Sequence, residues 1–397
     1  MAASPARPGR PDVLRSMNDK TALSLLIANG PMTRSQLRLA TNLSGPTTSE
    51  MVRRLCAAGL VDEAGHVPAS SGPNAASYRA RTEPCRGVAL QMLPKSALAC
   101  VVDASQGEFP AVEVPLTQTR SATSDVAAAI AAACQIAGQD SKDIVAVSVG
   151  VPGAVSPGSD HLNFVGPLPG WSRRDVRTQL EQQLKLTVMI DNDANLAAIA
   201  ELRARQDEAD FALLWEGEGL RVASVMDGHV QKGATGGAGE IGYLASPSAS
   251  QTSSKQVTLQ DQVGSSAVTR LVRSHIPSVR TYDAALNALK HSALRAAPLD
   301  ELAVRTAEVI APVLAVLDPP CLILSGPTGT AGGPDLARLV QVHLQRSTRW
   351  RAPILPSAAA DDPVLHGAAL TLATHLTERM LGLVDQLATV RRHTTIE

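Results

Sequence analysis

At 397 residues the chain has room for two or three domains and a sizeable core, and 44% hydrophobic against 18% charged residues excludes an intrinsically disordered protein. No run of about 18 apolar residues is present, which excludes a membrane-spanning helix, and the arginine-bearing N-terminus lacks the apolar stretch of a secretory signal. Five scattered cysteines (Cys56, Cys85, Cys100, Cys134, Cys321), with no CxxC or Cys/His grouping, predict structural thiols in a reducing cytoplasm and neither a disulfide framework nor a zinc site.

The net charge of −1 hides an asymmetry. Residues 1–86 carry eleven Lys and Arg against six acids, a surplus of five; the remainder carries 25 against 31, a deficit of six. A basic head on an acidic body suits a head that meets a polyanion.

In chain order, apolar residues recur at helical spacing from about 12 to 29 (Val13, Met17, Leu23, Leu26, Ile27), and Asn29-Gly30-Pro31 ends the segment. Thr33 can cap a second helix, with Gln36 at the capping-box position and Leu37 and Ala40 facing inward. After the turn at Asn42-Leu43-Ser44, a third helix is predicted over about 46–58, with Met51, Val52 and Leu55 on its apolar side and Gly59 as terminator. Leu60-Val61 and the stretch near 78–81 read as strands of a hairpin, and the Gly/Pro/Ser-rich 65–77 between them as a wing. Beyond Arg86, strands are predicted at 87–90, 98–103, 144–150, 186–191, 211–215, 221–226 and 321–325. Helices are predicted at 123–137, 172–185, 194–205, 262–274, 283–291, 299–317, 334–346 and 364–390. The Ser/Thr-rich 244–260 reads as a loop. Alternating strands and helices indicate an α/β body.

Helix, helix, turn, helix and wing is the arrangement that sets one helix in a major groove and braces it with another. The predicted DNA-facing residues are Ser44, Thr47, Thr48 and Ser49 at the start of the third helix, Arg53 and Arg54 further along, and Arg34, Gln36 and Arg38 on the bracing helix. Short hydroxyls can approach base edges or phosphates, and the arginines can neutralise phosphate. An ordinary polar face on a small helical domain is the blander alternative.

The segment resembles the N-terminal winged helix-turn-helix of ROK-family repressors. The resemblance rests on Asn18-Asp19-Lys20, the run from Leu25 through Gly30-Pro31-Met32-Thr33-Arg34-Ser35-Gln36-Leu37, then Leu43-Ser44, Thr47, Val52, Leu55 and Gly59-Leu60-Val61. In those repressors a Gly-Gly-Arg-Pro-like wing tip enters the minor groove. Here the stretch is Ser70-Ser71-Gly72-Pro73-Asn74, without the arginine, which shifts specificity towards the third helix. The body resembles the ROK domain over about 83–380. The matching pieces are Val149-Gly150-Val151-Pro152-Gly153, Leu168-Pro169-Gly170-Trp171, Ile190-Asp191-Asn192-Asp193-Ala194-Asn195, Asp227-Gly228, Gly236-Gly237-Ala238-Gly239-Glu240-Ile241-Gly242, Leu324-Ser325-Gly326 and His366-Gly367-Ala368-Ala369.

That resemblance implies a two-lobed actin/hexokinase-like (ribonuclease H-like) fold with sugar between the lobes. The implied layout is a winged helix-turn-helix at 1–82 and a ROK domain at 83–397. Lobe one would be about 83–191 plus the helix at 364–390, and lobe two about 192–363. Asp193 stands at the family's general-base position, and Asn192 and Glu240 at sugar-contacting positions. The phosphate loops depart from the kinase pattern. Where an Asp-x-Gly-Gly-Thr loop is expected the chain reads Gln91-Met92-Leu93-Pro94-Lys95-Ser96, and Pro94 removes an amide donor. The second loop reads Glu216-Gly217-Glu218-Gly219-Leu220-Arg221, with two glutamates that repel phosphate; Lys95 and Arg221 compensate in part. Tyr243 stands at the family's zinc histidine, the loop after it has no cysteine, and Gln260 replaces a glutamate, so no metal is predicted.

These readings lead to a DNA-binding transcription regulator of carbohydrate metabolism, a repressor acting as a homodimer or homotetramer on a double-stranded palindromic operator. No enzyme activity, cofactor or membrane attachment is predicted. Asn192, Asp193 and Glu240 either bind a sugar or sugar-phosphate effector or persist as caps of their own helix and turn. A ROK sugar kinase with an accessory DNA-binding head, and a regulator with a collapsed cleft, are the competing readings.

Overall fold

A computed structural model describes residues 11–68, 74–105, 107, 110–116, 120–156, 160–163, 168–206, 209–246, 257–359 and 361–394. Its first helix, α1 (Pro11–Asn29), buries Ala22, Leu23, Leu26 and Ile27. Thr33 ends the two-residue strand β1 (Met32–Thr33) and caps α2 (Arg34–Thr41) reciprocally. Its hydroxyl accepts from the Gln36 N–H at 3.3 Å, and Gln36 Oε1 accepts from the Thr33 N–H at 2.8 Å. Leu37 is buried, but Ala40, expected inward, is exposed, because an eight-residue helix turns only a narrow stripe to the core. Ser44 caps α3 (Gly45–Ala57), and Gly59, at φ +70°, takes the left-handed turn that ends it. The wing is a true hairpin of β2 (Val61–Val67) and β3 (Ala75–Ala80), to which β1 adds a third strand in the order β1-β3-β2. The wing-tip residues 69–73 lie outside the described residues.

The body opens with β4 (Arg86–Met92), β5 (Ser96–Asp103) and β6 (Val112–Pro115), an antiparallel meander. Then follow α4 (Ala122–Ala137), β7 (Ile144–Val151), a ribbon of β8 (Ala154–Val155) and β9 (Leu162–Asn163), α5 (Val176–Leu184), β10 (Thr187–Asn192) and α6 (Asp193–Ala204). Strand order is β10-β7-β4-β5-β6, with β7 parallel to both β4 and β10. The helix expected from 172 begins only at Val176, because Asp175 is left-handed at φ +54°.

The second sheet repeats this plan. β11 (Phe211–Glu216), β12 (Leu220–Met226) and β13 (His229–Val230) form the meander. Helices α7 (Gln260–Val263), α8 (Ser265–His275), α9 (Tyr282–His291) and α10 (Ala296–Leu317) lead to β14 (Leu322–Ser325), and α11 (Gly326–Ser347) to β15 (Ile354–Pro356). The order β13-β12-β11-β14-β15 matches the first sheet strand for strand. Two such α/β lobes make the actin/hexokinase-like, ribonuclease H-like architecture. The helix expected at 262–274 is broken at Gly264, and the one expected at 334–346 starts at Gly326 and kinks at Gly333.

The last helix, α12 (Pro363–Thr394), ties everything together. It packs on α6, β4, β5 and β7, and its far part meets α1 of the head. Gly367 permits the close approach to α6: a Cβ there would sit 1.9 Å from the Leu196 carbonyl oxygen. Leu23 and Leu26 of the head share one apolar cluster with Leu376, Met380 and Val384. At the rim of this contact Ser16 Oγ and Lys20 Nζ reach the Asp385 carboxylate at 2.8 and 2.6 Å.

Candidate DNA interface and ligand cleft

The outward face of the head carries Arg34, Gln36, Arg38, Ser44, Thr47, Ser49 and Arg53, all exposed. Several are partly engaged within the head. Arg34 lies over the Tyr78 ring at 4.9 Å, a cation–π contact that aims it along the wing. The amide oxygen of Gln36 is held in the capping box. Ser44 Oγ accepts from the Thr47 N–H at 3.3 Å and shares a 2.8 Å hydrogen bond with the Thr47 hydroxyl. Arg53 forms a two-point pair with Glu50 at 2.8 and 2.6 Å, which pushes the guanidinium pKa up.

Two predicted contacts are corrected. Thr48 is buried at 1% exposure and donates to the Ser44 carbonyl at 3.0 Å, because its position shares the inner face with Met51, Val52 and Leu55. Arg54 is turned inward too, its guanidinium bound in two-point fashion to Asp19 of α1 at 2.5 and 3.1 Å, with both side chains mostly buried. It fastens α3 to α1. The helical period decides both cases: residues 48, 51, 52 and 55 define the buried stripe, and 54 borders it facing α1.

Between the lobes is a cavity of about 330 Å³ whose lining includes Gly153, Asn192, Asp193, Trp215, Glu218, Arg221, Glu240 and Gln260. Asn192 is buried and caps α6, its Oδ1 accepting from the Ala194 N–H at 2.8 Å while its amide donates to the Gly153 carbonyl at 2.9 Å. Asp193 Oδ1 also accepts from the Ala194 N–H, at 2.9 Å. Burial raises the Asp193 carboxyl to about 6, against the opposing pull of Arg221. Glu240, likewise raised to about 6 by burial, accepts from Arg221 Nη2 at 2.8 Å. Arg221 is 4% exposed at its side chain and also donates to the Gly236 carbonyl at 3.1 Å, fixing the Gly-rich turn. Desolvation lowers its pKa. Lys232, near that turn, is bound to Asp191 at 2.7 Å. Sequence reasoning named Arg221 only as a partial offset to lost phosphate donors; its place between Asp193 and Glu240 depends on how the lobes pack.

The phosphate-loop regions differ from the sequence-based picture in one respect. Leu93 N–H bonds to the Ser96 carbonyl at 2.9 Å, so Pro94-Lys95 is the tip of a closed two-residue turn. The buried Arg120 caps that tip, donating to the Pro94 carbonyl at 2.7 Å while pairing with Asp125 at 2.9 Å. Glu216, however, does not face the cleft. It is fully buried in lobe two, accepts from the Thr306 hydroxyl at 2.9 Å, and is raised by burial to about 7. Glu218 alone of the two glutamates lines the cavity.

A winged helix-turn-helix joined to a two-lobed body with a polar interlobe cleft defines the class. The chain belongs to the ROK family, which it matches over residues 94–375, and residues 18–62 match the winged helix-turn-helix DNA-binding family. It is 24% identical over 245 residues to the DNA-binding transcriptional dual regulator NagC of Escherichia coli K12, a stretch covering 60% of each chain. It is also 24% identical over 223 residues to a glucokinase of Halalkalibacterium halodurans, covering 51% of this chain and 67% of that one. Among solved structures, a ROK family transcriptional regulator homologous to the E. coli MLC protein superposes with a TM-score of 0.68 at 17% identity, over 94% of this chain and 99% of that one. A ROK glucokinase from Streptomyces griseus, solved with glucose and AMPPNP, gives 0.58 at 21% identity, over 72% and 98%. The kinase thus matches a smaller share of this chain than the regulator does.

Proposed function

We propose that the chain is a DNA-binding transcription regulator, a repressor that holds a palindromic operator as a homodimer or homotetramer, with the body serving assembly and effector sensing. The observation that carries this reading is the outer face of α3: it presents Thr47, Ser49 and Arg53 to solvent while the inner face packs on α1 and α2. The surplus of positive charge in residues 1–86 and the similarity to NagC support it. Selection of bound fragments from random DNA, followed by titration at physiological salt, tests it. A palindromic sequence bound at least about a thousandfold more tightly than bulk DNA is expected; binding without sequence preference would refute it. Operator binding with and without candidate sugars then tests the effector role of Asn192, Asp193 and Glu240.

A second reading, a sugar kinase with a DNA-binding head, is favoured by one observation: Asp193 lies in the cleft with a carboxyl raised to about 6, suitable for a general base. We infer that it does not act as one, because the closed turn at Pro94-Lys95 offers no nest of amides for phosphate. ATP-dependent phosphorylation of a hexose, abolished in Asp193→Asn, would establish the kinase instead.

A further inference from the structure

The stretch that leaves β13 is held in two different ways. On both sides of residues 232–235 it is rooted in lobe two. Before them, the Gln231 N–H donates to the Ser224 carbonyl of β12 at 2.8 Å. After them, the buried Arg221 binds both the Gly236 carbonyl and Glu240, and the Val222 N–H donates to the Gly239 carbonyl at 2.9 Å. A Cβ on Gly239 would stand 1.7 Å from the Val222 carbonyl oxygen, so that root is packed without slack. Residues 232–235 themselves are exposed and cross to the first sheet's lobe. Lys232 Nζ pairs with Asp191 of β10 at 2.7 Å, and Ser156 Oγ, just beyond β8, donates to the Thr235 carbonyl at 3.0 Å. The seat on that side is preformed. Asp191 Oδ1 accepts from the Asn192 N–H at 2.8 Å and from Asn195 Nδ2 at 2.9 Å, and Ser156 Oγ accepts from Asn163 Nδ2 at 2.6 Å.

We propose that residues 232–235 are a latch between the lobes, rooted in lobe two and seated on lobe one, and that its release at the lobe-one seat opens the interlobe cleft. The strength of the two attachments decides which one lets go. At the root, parting Arg221 from Glu240 would strand charges whose side chains are 4% and 13% exposed, which is costly. At the seat, the Lys232 side chain is 51% exposed, and water takes over its charge as soon as it leaves Asp191. Such an ion pair contributes little and is screened by salt, and the Ser156 hydrogen bond at the surface adds little more. The joint is therefore weak enough to open often while the tab keeps its shape. Its consequence reaches beyond the joint, because Asp191 also holds Asn195 in the first turn of α6, the helix that packs on α12.

The test is amide hydrogen exchange on the full-length protein, with neither DNA nor any small molecule added. The amides that report opening are those of Gly153, Ser156 and Ala194, which line or adjoin the cleft on the lobe-one side and are hydrogen-bonded in the latched form. The amides of Val222 and Gln231 report the lobe-two root. Lys232→Met should speed exchange at the first group about two- to fivefold and leave the second group unchanged. Lys232→Arg, which keeps the charge, should stay near the parent rates. Lys232→Met combined with Ser156→Ala should reach about tenfold at Gly153 and Ala194. Salt at about 1 M should move the parent towards the Lys232→Met rates and leave Lys232→Met itself unmoved. Lys232 and Ser156 lie at the surface of the joint, so all these variants should fold, and near-parent melting curves check that they do. Parent-like exchange at Gly153 and Ala194 in the double variant would overturn the proposal, since the lobes would then be held by something else. Equal acceleration at Val222 and Gln231 would overturn it as well, because the root would be giving way with the seat. Since the readout needs no DNA, its failure leaves the regulator reading standing, and operator titration tests that reading on its own.

Discussion

Neighbouring arginines on α3 should respond to alanine in opposite ways. Arg53 is exposed and pairs only with Glu50 of its own helix among the contacts seen, so Arg53→Ala should leave thermal stability unchanged. If its guanidinium meets a phosphate, operator affinity falls at every sequence and the salt dependence loses about one ion's slope. Arg54 joins α3 to α1 through Asp19, the side chains being 14% and 12% exposed. Removing it strands a mostly buried carboxylate; severing a fully buried pair costs about 3–5 kcal/mol, and residual exposure brings this to about 2–4. At roughly 4–8 °C per kcal/mol for a unit of this size, Arg54→Ala should lower the melting temperature of the head by about 10 °C or more. Asp19→Asn with Arg54→Leu should recover part of the loss, because no lone charge is left inside. Scanning calorimetry and anisotropy titration at several salt concentrations separate the two effects. An Arg54→Ala protein that melts like the parent yet binds operator poorly would refute the reasoning, since Arg54 would then be spending its charge on DNA.

Glu216→Gln tests the buried carboxyl of lobe two. The folded-state pKa is raised to about 7 against an unfolded value near 4.5, so the wild-type protein is most favoured below pH 4.5 on this account and loses that advantage as pH rises through 7. Glutamine keeps an acceptor for Thr306 and never ionises; its melting temperature should exceed the parent's at pH 8.5, by an amount corresponding to roughly 3 kcal/mol, with the gap closing towards pH 5. A gap independent of pH would mean that the Glu216 carboxyl titrates alike in the folded and unfolded chain, against the shift that burial imposes. Gly367→Ala would put a Cβ 1.9 Å from the Leu196 carbonyl oxygen and force α12 off α6, a strain of about 1–3 kcal/mol or more; an unchanged melting curve would show that this helix pair is looser than described. Asp385→Ala cuts the bonds to Ser16 and Lys20. As an exposed pair it should cost about 0–1 kcal/mol of stability; if the effector proposed above changes operator affinity, the variant should alter the size of that change, and equal effects in parent and variant would count against any role of this contact in coupling.

The head was legible in the sequence because its signals are local. Thr33 with Gln36, Ser44 before Gly45-Pro46, and Gly59 each satisfy a helix end with neighbours three or four residues away, and the structure builds those caps. Arg54 misled because a helix's polar rim cannot be divided into inward and outward parts until its partner is known, and Asp19 is 35 residues away; Thr48 falls on the stripe of Met51, Val52 and Leu55, and Ala40 lies outside the narrow stripe that short α2 buries. In the body the long strands and helices were legible from periodicity, whereas β6 and β15 were not. Four residues of which two are Glu113 and Pro115, or three ending in Pro356, carry too little alternation to be read. The cleft was visible as motifs only. That Glu216 turns into the lobe while Arg221 turns into the cleft follows from strand pairing, since Glu216 lies opposite Leu220 and Trp215 opposite Arg221 across the β11–β12 hairpin. No spacing rule in one dimension yields that register.

The path from cleft to head runs through packed helices. Asn192 caps α6 from inside the cleft, its amide reaching the Gly153 carbonyl of lobe one. Along its length α6 presses on α12, closely enough at Gly367 that the contact has no slack for a methyl group. The far part of α12 shares its apolar surface with α1, through Met380 and Val384 on one side and Leu23 and Leu26 on the other. A ligand that changed the Arg221–Glu240 pairing and the Gly-rich turn would act on lobe two, and any resulting shift of lobe two against α6 would be carried by a stiff helix towards α1. The second fastening, Arg54 to Asp19, fixes α3 to that same α1. Movement of α1 would therefore take α3 with it, and if α3 reads DNA in the twofold assembly proposed above, a small rotation of each head would change the separation of the two helices, which half-site spacing tolerates poorly.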